Sequence, residues 1–319
     1  MDHPPIGLSA LSYYVPPHTV SLTDLHKQGK LRSTPETLEA LGWRHAHVAG
    51  GETAADLADR AVEAILAQGI RPDDIDALIY CGATVHSFVA TGSLPAPDQF
   101  WDFFRYPANR LQDRWGLTKA AVFPLAQQGC TTLLAAIRLA RDMIRAEPEV
   151  SRVLCVSVDV LPAQSPREAI FNLLSDGSCA VVVERGCTRN EIVLTRQVAK
   201  GYYWDPEALQ VELMAAYFPT ARHVLLRTLE DAGIRREDVR WLVPQNVSFQ
   251  SWRILLSLLQ WPLDVLYKDN ISDKGHTIAA DTVINLKDIL DRGLVARGEY
   301  LILFSFGFGA NWTAILVRH

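Results

Sequence analysis

Apolar and polar positions along this chain fall into two alternating periods. Residues 53–69, TAADLADRAVEAILAQG, carry apolar side chains at helical spacing; Thr53 and Asp56 form a capping pair, and Gly69 supplies a stop. The run IDALIYCGAT, 75–84, is short and apolar throughout, as a buried strand is. A helix is predicted over 131–146, then strands over 152–159 (RVLCVSVD) and 178–185 (SCAVVVER). Strands alternating with helices predict an α/β protein with a largely parallel sheet covered on both faces.

The second part of the chain repeats the first. LAQGIRPDDIDALIY (66–80) matches LEDAGIRREDVRWLVP (229–244): a Gly-Ile-Arg turn, an acidic pair, then a strand. WGL at 115–117 precedes QQGCTTLLAAIRLARDMI as WPL at 261–263 precedes YKDNISDKGHTIAADTVINLKDIL. Trp115 and Trp261 lie as far apart as Gly129 and Gly275, so Cys130 and His276 hold the same place in the two repeats. RVLCVSVD and YLILFSFG (300–307) follow as matching strands. The reading is two halves, 1–187 and 188–319, meeting where RGCTRNE interrupts the strand pattern.

Composition narrows the class. The 319 residues are 49% hydrophobic, enough for a sizeable core, and the formal net charge is -5 with no long basic block, so nucleic acid is not expected as a partner. Cys81, Cys130, Cys155, Cys179 and Cys187 are few and odd in number, and four lie in apolar or strand-like runs, which fits a reducing compartment. The N-terminus lacks a signal-peptide pattern, and no apolar run is long enough to span a bilayer. A cytoplasmic protein with no membrane partner is expected. His45, His47 and His86 show no metal-ligand spacing, so no metal site is expected.

A Cys at one central helix and a His at its repeat resemble the thiolase superfamily, and the details resemble the ketoacyl-acyl carrier protein synthase III family over nearly the whole chain. The segments carrying the likeness are GETAADLADRAVEAILAQGIRPDDIDALIYCGAT, QQGCTTLLAAIRLA, LLSDGSCAVVVE (173–184) and GHTIAADTVINLKDILDRGLVARGEYLILFSFGFGANWTAILV. The resemblance implies a duplicated thiolase fold, five-layered α-β-α-β-α with two pseudo-twofold related halves, and a homodimer joined through an edge strand, here assigned to RVLCVSVD. It implies Cys130 as the acyl-accepting thiol. It also implies backbone N–H groups at Cys130 and in FGFGA, at Gly307, Phe308 and Gly309, as an oxyanion site. Two positions depart from the family. Gln245, with Asn246 beside it, stands where the family has His, and His276 where it has Asn. The family's basic docking residue is Gln250 here, with Arg253 close by; Arg44 and Arg253 are the candidate cations for binding a thioester donor.

Each of these residues also has a plainer reading. Cys130 alone reads as a buried inert thiol; the repeat and the resemblance make it a nucleophile, with a helix N-terminus favouring an anion and His276 as base. Gln245 and Asn246 can donate hydrogen bonds but cannot move a proton near neutral pH; Asn246 also reads as a cap for a helix starting near Phe249. Asp281 either orients the imidazole or is a polar helix residue, and the second reading is preferred. The aromatic-rich segment 85–116 reads either as a surface excursion or as a cap shaping an acyl pocket.

The expected function is acyl transfer from acyl-coenzyme A or acyl carrier protein onto Cys130, then to a small-molecule or carrier-bound acceptor. No tightly bound cofactor is implied; the coenzyme A or phosphopantetheine thioester is substrate. Two alternatives are decarboxylative carbon–carbon condensation and a catalytically silent partner subunit of a condensing enzyme.

Overall fold

A computed structural model describes residues 4–88 and 98–319, the side chains of residues 85 and 86 excepted. Nine strands form the main sheet: β1 (Ile6–Tyr14), β2 (Ala77–Cys81), β3 (Ala121–Leu125), β4 (Arg152–Asp159), β5 (Gly177–Arg185), β6 (Glu191–Ala199), β7 (Val239–Pro244), β8 (Tyr300–Gly307) and β9 (Asn311–Arg318). The longer helices are α1 (Ala54–Leu66), α2 (Pro107–Arg114), α3 (Thr132–Ala146), α4 (Gln210–Ala232), α5 (Phe249–Leu259) and α6 (Asp281–Asp291).

The strand order is β7-β8-β9-β6-β1-β5-β4-β2-β3. It divides between β6 and β1, which share one pairing, Gly7 with Glu191. On either side the same arrangement recurs. In the first half β1 and β5 pair antiparallel, β5 and β4 antiparallel, and β4 and β2 parallel. In the second half β6 and β9 pair antiparallel, β9 and β8 antiparallel, and β8 and β7 parallel. The first half adds β3 parallel to β2; its counterpart in the second half is a single parallel bridge between Leu242 and Leu266. The duplication is therefore one of topology as well as of sequence. The expected largely parallel sheet is corrected: most of these pairings are antiparallel, because each half brackets its parallel strands with a β-hairpin-like return. Strands buried on both faces are apolar throughout whichever way they run, so the pattern carries no direction.

Three cores account for five layers. Alternate residues of the first half-sheet, such as Leu78, Tyr80, Leu154 and Val156, pack against α1 and α2. Their neighbours Ile79, Val153 and Cys155 face the central layer of α3 and α6, which also receives Leu301, Leu303, Ile315 and Val317 from the second half-sheet. The other face of that sheet, including Ile302, Phe304 and Leu316, packs on α4 and α5. Leu22, Leu25, Leu38 and Trp43 join this last core although they belong to the first half of the chain.

Local signals explain the boundaries. Thr53 and Asp56 form a reciprocal capping box at the start of α1, whose C-cap is Ala67, two residues before Gly69. Arg71–Asp74 and Arg235–Asp238 are equivalent ion pairs across equivalent 3-10 turns. The helix α5 is capped by Ser248, whose hydroxyl accepts from Ser251 N, and not by Asn246. Two further expectations need correction or limits. RVLCVSVD is not an edge strand, since β4 is paired with β2 and β5 on its two sides; the free edge of the first half is β3. In the 85–116 segment, Phe100, Trp101, Phe103, Phe104 and Tyr106 are exposed, and residues 89–97 lie outside the described residues.

Candidate active site

Cys130 sits in a 3-10 turn, Gly129–Thr131, that leads into α3. Thr131 and Thr132 hydroxyls donate back to the carbonyls of Gln128 and Gly129 at 2.6 and 2.5 Å, fixing the turn. The loop after β8 packs directly on it. A Cβ at Gly307 would lie 2.3 Å from Gln128 O and 2.7 Å from Cys130 N, and one at Gly129, where φ is +53°, would lie 2.6 Å from Phe308 N. Only glycine allows these backbones to approach so closely. The candidate oxyanion donors, Cys130 N–H and Phe308 N–H, thereby belong to two backbones in close contact, and Phe308 N–H makes no hydrogen bond to the described residues.

His276 arrives from the second half. Its backbone N–H donates to Leu173 O at 2.9 Å, and its carbonyl accepts from Ser175 N at 2.9 Å. The LLSDGSCAVVVE segment thus grips the His276 turn. Asp176 there is buried in a bidentate pair with Arg167, at 2.6 and 3.0 Å. The His276 side chain is 5% exposed, and its Nε2 lies 3.4 Å from Cys130 Sγ. Its Nδ1 lies 2.5 Å from Asp281 Oδ2.

Asp281, for which the polar-helix reading was preferred, is buried against the imidazole. It is 1% exposed, and besides the imidazole it accepts from Thr277 N and Thr277 Oγ1, both at 2.6 Å, and from Asn246 N at 2.7 Å. It orients His276. A five-residue separation from His276 matches no simple helical spacing; the geometry depends on the turn at 276–280, which ends as α6 begins. Burial by itself pulls the His276 imidazolium down, but the Asp281 carboxylate and the Cys130 sulfur outweigh it and hold the imidazole well above its ordinary range.

The amides at 245 and 246 differ from each other. Asn246 is wholly engaged: Nδ2 donates to Gly275 O at 2.9 Å, and Oδ1 accepts from Asn285 Nδ2 at 2.9 Å. It buttresses the His276 turn. Gln245 Oε1 accepts from Phe306 N at 2.8 Å and lies 2.6 Å from Ser305 Oγ. The backbone N–H must meet an oxygen, so the NH₂ end is the unengaged one. Ser305 also reaches Cys130 O, at 2.9 Å. Sequence reasoning passed over Ser305, although one hydroxyl inside the apolar run LILFSFG is a signal of its own. Arg44 and Arg253 are exposed, and neither bonds to Cys130 or His276. Arg253 donates to Gln250 Oε1 at 3.4 Å, and Arg44 borders a surface recess with Trp43, Gly42, Glu39 and Ser272. His47 is buried between the carbonyls of Pro16 and Asp273. Among the described residues no cluster of three or more His, Cys, Asp or Glu is arranged to hold a metal, and no helix is long and apolar enough to cross a membrane.

The fold and the site together define a thiolase-fold protein with a Cys–His–Asp constellation where its two halves meet. Comparison with known proteins narrows this. Residues 126–201 match the model for 3-oxoacyl-[acyl-carrier-protein] synthase III, and residues 229–319 match that for its C-terminal part, together just over half of the chain. The β-ketoacyl-[acyl-carrier-protein] synthase III of Methylococcus capsulatus is 27% identical, over 96% of each chain. The solved 3-oxoacyl-[acyl-carrier-protein] synthase III of Aquifex aeolicus superimposes with a TM-score of 0.83 at 22% identity, covering 98% of this chain and all of that one. The structure of ChlB3, named an acyltransferase, gives a TM-score of 0.83 at 22% identity over 99% of this chain and 98% of the other. The chain belongs to the 3-oxoacyl-[acyl-carrier-protein] synthase III family and is an acyl-transferring enzyme of the thiolase fold.

Proposed function

We propose that this enzyme takes an acyl group from an acyl-coenzyme A or acyl carrier protein thioester onto Cys130 and passes it to a separate acceptor. The observation that carries the reading is the 3.4 Å approach of His276 Nε2 to Cys130 Sγ, with Asp281 behind the imidazole. In the first half-reaction His276 takes the thiol proton, and the sulfur attacks the donor carbonyl. The developing oxyanion faces Cys130 N–H and Phe308 N–H. The donor's thiol leaves with the proton returned by His276. In the second, the acceptor loses a proton to His276 and displaces the Cys130 sulfur. On this reading residues 1–187 and 188–319 are the duplicated units, each contributing one member of the pair. Intact-protein mass after incubation with a panel of acyl thioesters tests the reading: one thioester should add one acyl mass, mapped to Cys130, and a protein that gains none is not an acyl carrier.

A second reading, decarboxylative condensation, is favoured by the relatives' name, synthase. It needs stabilisation of an enolate, for which this site offers one imidazole and the Gln245 amide. Carbon dioxide release from a malonyl thioester by the acylated enzyme separates the two readings.

Asp281→Asn probes the support behind the imidazole. Losing the carboxylate removes the largest influence that raises His276, so the acid limb of acyl discharge should move to lower pH. The rate should fall as well, by up to about 10⁴ if the wrong tautomer is stabilised. An unmoved limb would assign Asp281 to folding alone.

The homodimer is proposed through β3, the free edge of the first half, continuing the sheet across a twofold axis. Its side chains are mostly exposed, Phe123 at 44%, and a bare strand edge invites pairing. Light scattering at micromolar concentration should give twice the 35.5 kDa chain mass, and Phe123→Lys should shift it toward the monomer. A monomeric wild type removes the proposal.

A further inference from the structure

Helix α6 runs through the central layer, where Val283, Ile284, Leu286 and Ile289 are fully buried. Asp281, Asn285 and Asp288 interrupt this apolar surface at i, i+4 and i+7, so they share one face of the helix. Asn285 is 0% exposed and plays no part in the chemistry above. A buried amide costs stability unless it is hydrogen-bonded, and leucine would fill the place without that demand. Its Nδ2 donates to Pro244 O at 2.8 Å and to Asn246 Oδ1 at 2.9 Å, and its Oδ1 accepts from Asn270 Nδ2 at 3.0 Å. Asn270 is itself 5% exposed, and its Nδ2 also donates to Asp288 Oδ2 at 2.8 Å. The Tyr13 hydroxyl donates to the other oxygen of Asp288, at 2.8 Å.

The orientation of each amide is forced. Pro244 O and Gly275 O can only accept, so Asn285 and Asn246 must turn their NH₂ ends toward them. Asn285 Oδ1 is then left to accept from Asn270. The three amides form one chain in which each donates to the next, and the last donates to the carbonyl just before His276. A buried network whose members are all satisfied fixes a single arrangement. This one ends where the proton is handled. Asn246 is held at both ends of its side chain, and its backbone N–H donates to Asp281 Oδ2 at 2.7 Å. That same oxygen faces His276 Nδ1, while Thr277 holds the other. Asp281 and Cys130 are the titratable groups bonded to the imidazole, and the buried Asp159 accepts from Ala279 N further along the same turn.

We propose that Asn285 is a positioning residue for acyl discharge: with Asn270 it locks Asn246, and through Asn246 it keeps the Asp281 carboxylate aligned with the His276 imidazole. The inference rests on Cys130 as acyl carrier and His276 as the base of discharge. Asn285 touches no reacting atom in this scheme. It acts by holding the donor that shares an oxygen with the imidazole.

The test is the pH profile of single-turnover discharge, followed by intact mass, in the wild type, Asn285→Leu, Asp281→Asn and the double variant. Asn285→Leu should slow discharge by about tenfold, as one lost neutral hydrogen bond allows, and leave the acceptor's KM unchanged. Its acid limb should move to lower pH, by less than in Asp281→Asn, because the carboxylate is still present but less closely held. In the Asp281→Asn background, Asn285→Leu should add neither a further shift nor further slowing, since the two substitutions break one device. An unmoved or raised limb, whatever the melting temperature, would make Asn285 a residue of stability alone and overturn the proposal. So would full additivity with Asp281→Asn. Should Asn285→Leu fail to fold, Asn270→Ala removes a single donor from the chain and carries the same comparison. Its limb should move in the same direction by a smaller amount, and an unmoved limb there overturns the proposal too. Absence of loading in the wild type would instead sink the acyl-carrier reading on which the inference rests.

Discussion

Cys130→Ala should leave no acyl adduct on the protein at any thioester concentration. The remaining thiols are poor substitutes. Cys81, Cys155 and Cys179 are sealed in the central core, where burial pushes each thiol up and away from the thiolate form. Cys187 is half-buried, and burial pushes it up too, though a backbone hydrogen bond with Arg189 works the other way. Among the described residues none of the four has an imidazole at hydrogen-bond distance, whereas Cys130 does. The measurement is intact mass with peptide mapping across the thioester panel. An adduct of equal yield in the variant would mean that acyl transfer runs through another nucleophile, and the site would have to be redrawn.

His276→Ala should divide the two half-reactions. Loading survives, slowed, because the thiol retains its place at the mouth of α3. Discharge should fall by about 10²–10⁴, the usual worth of a general base. Among the described residues no replacement base bonds to Cys130: Asp281 also holds Thr277 and Asn246, and Gln245 is an amide. The pH profile carries the same logic. The imidazole must be neutral to accept a proton, so wild-type discharge should fall as pH drops through its raised pKa. Acylation removes the charge on the sulfur, which is one of the influences raising His276, so the limb for discharge should lie below the value for the free enzyme. Single-turnover rates of loading and discharge measure both effects. Discharge at the wild-type rate in His276→Ala would remove the imidazole as base.

Much of this was legible in the sequence because duplication turns one chain into its own comparison. The equal separations of Trp115–Trp261 and Gly129–Gly275 put Cys130 opposite His276 before any geometry was known, and the side chains meet. The strands at 152–159 and 300–307 fall where the apolar runs begin and end. Strand direction was not legible, since a strand buried on both faces reads the same either way. The edge strand was missed for a related reason. AVFPL at 121–125 is apolar throughout in sequence, so its exposure, mostly outward in the structure, was not legible, although its proline is a feature of an edge. Asp281 and Ser305 act through the turn at 276–280 and through backbone contacts between halves, which no local pattern encodes. Asn246 and Gln245 look alike in sequence, and they part only because one amide is engaged at both ends and the other at one.

The packing of Leu22, Leu25, Leu38 and Trp43 into the core of the second half has a consequence for the history of the molecule. Two ancestral copies, once each a self-sufficient unit, would have kept their cores to themselves. Here an N-terminal segment of the first half closes the outer face of the second, whose counterpart of β3 is a single bridge at Leu266. The fusion is no longer reversible: cutting the chain between Arg185 and Glu191 would not return two domains, but one fragment lacking its cover and another carrying a hydrophobic flap with nowhere to lie.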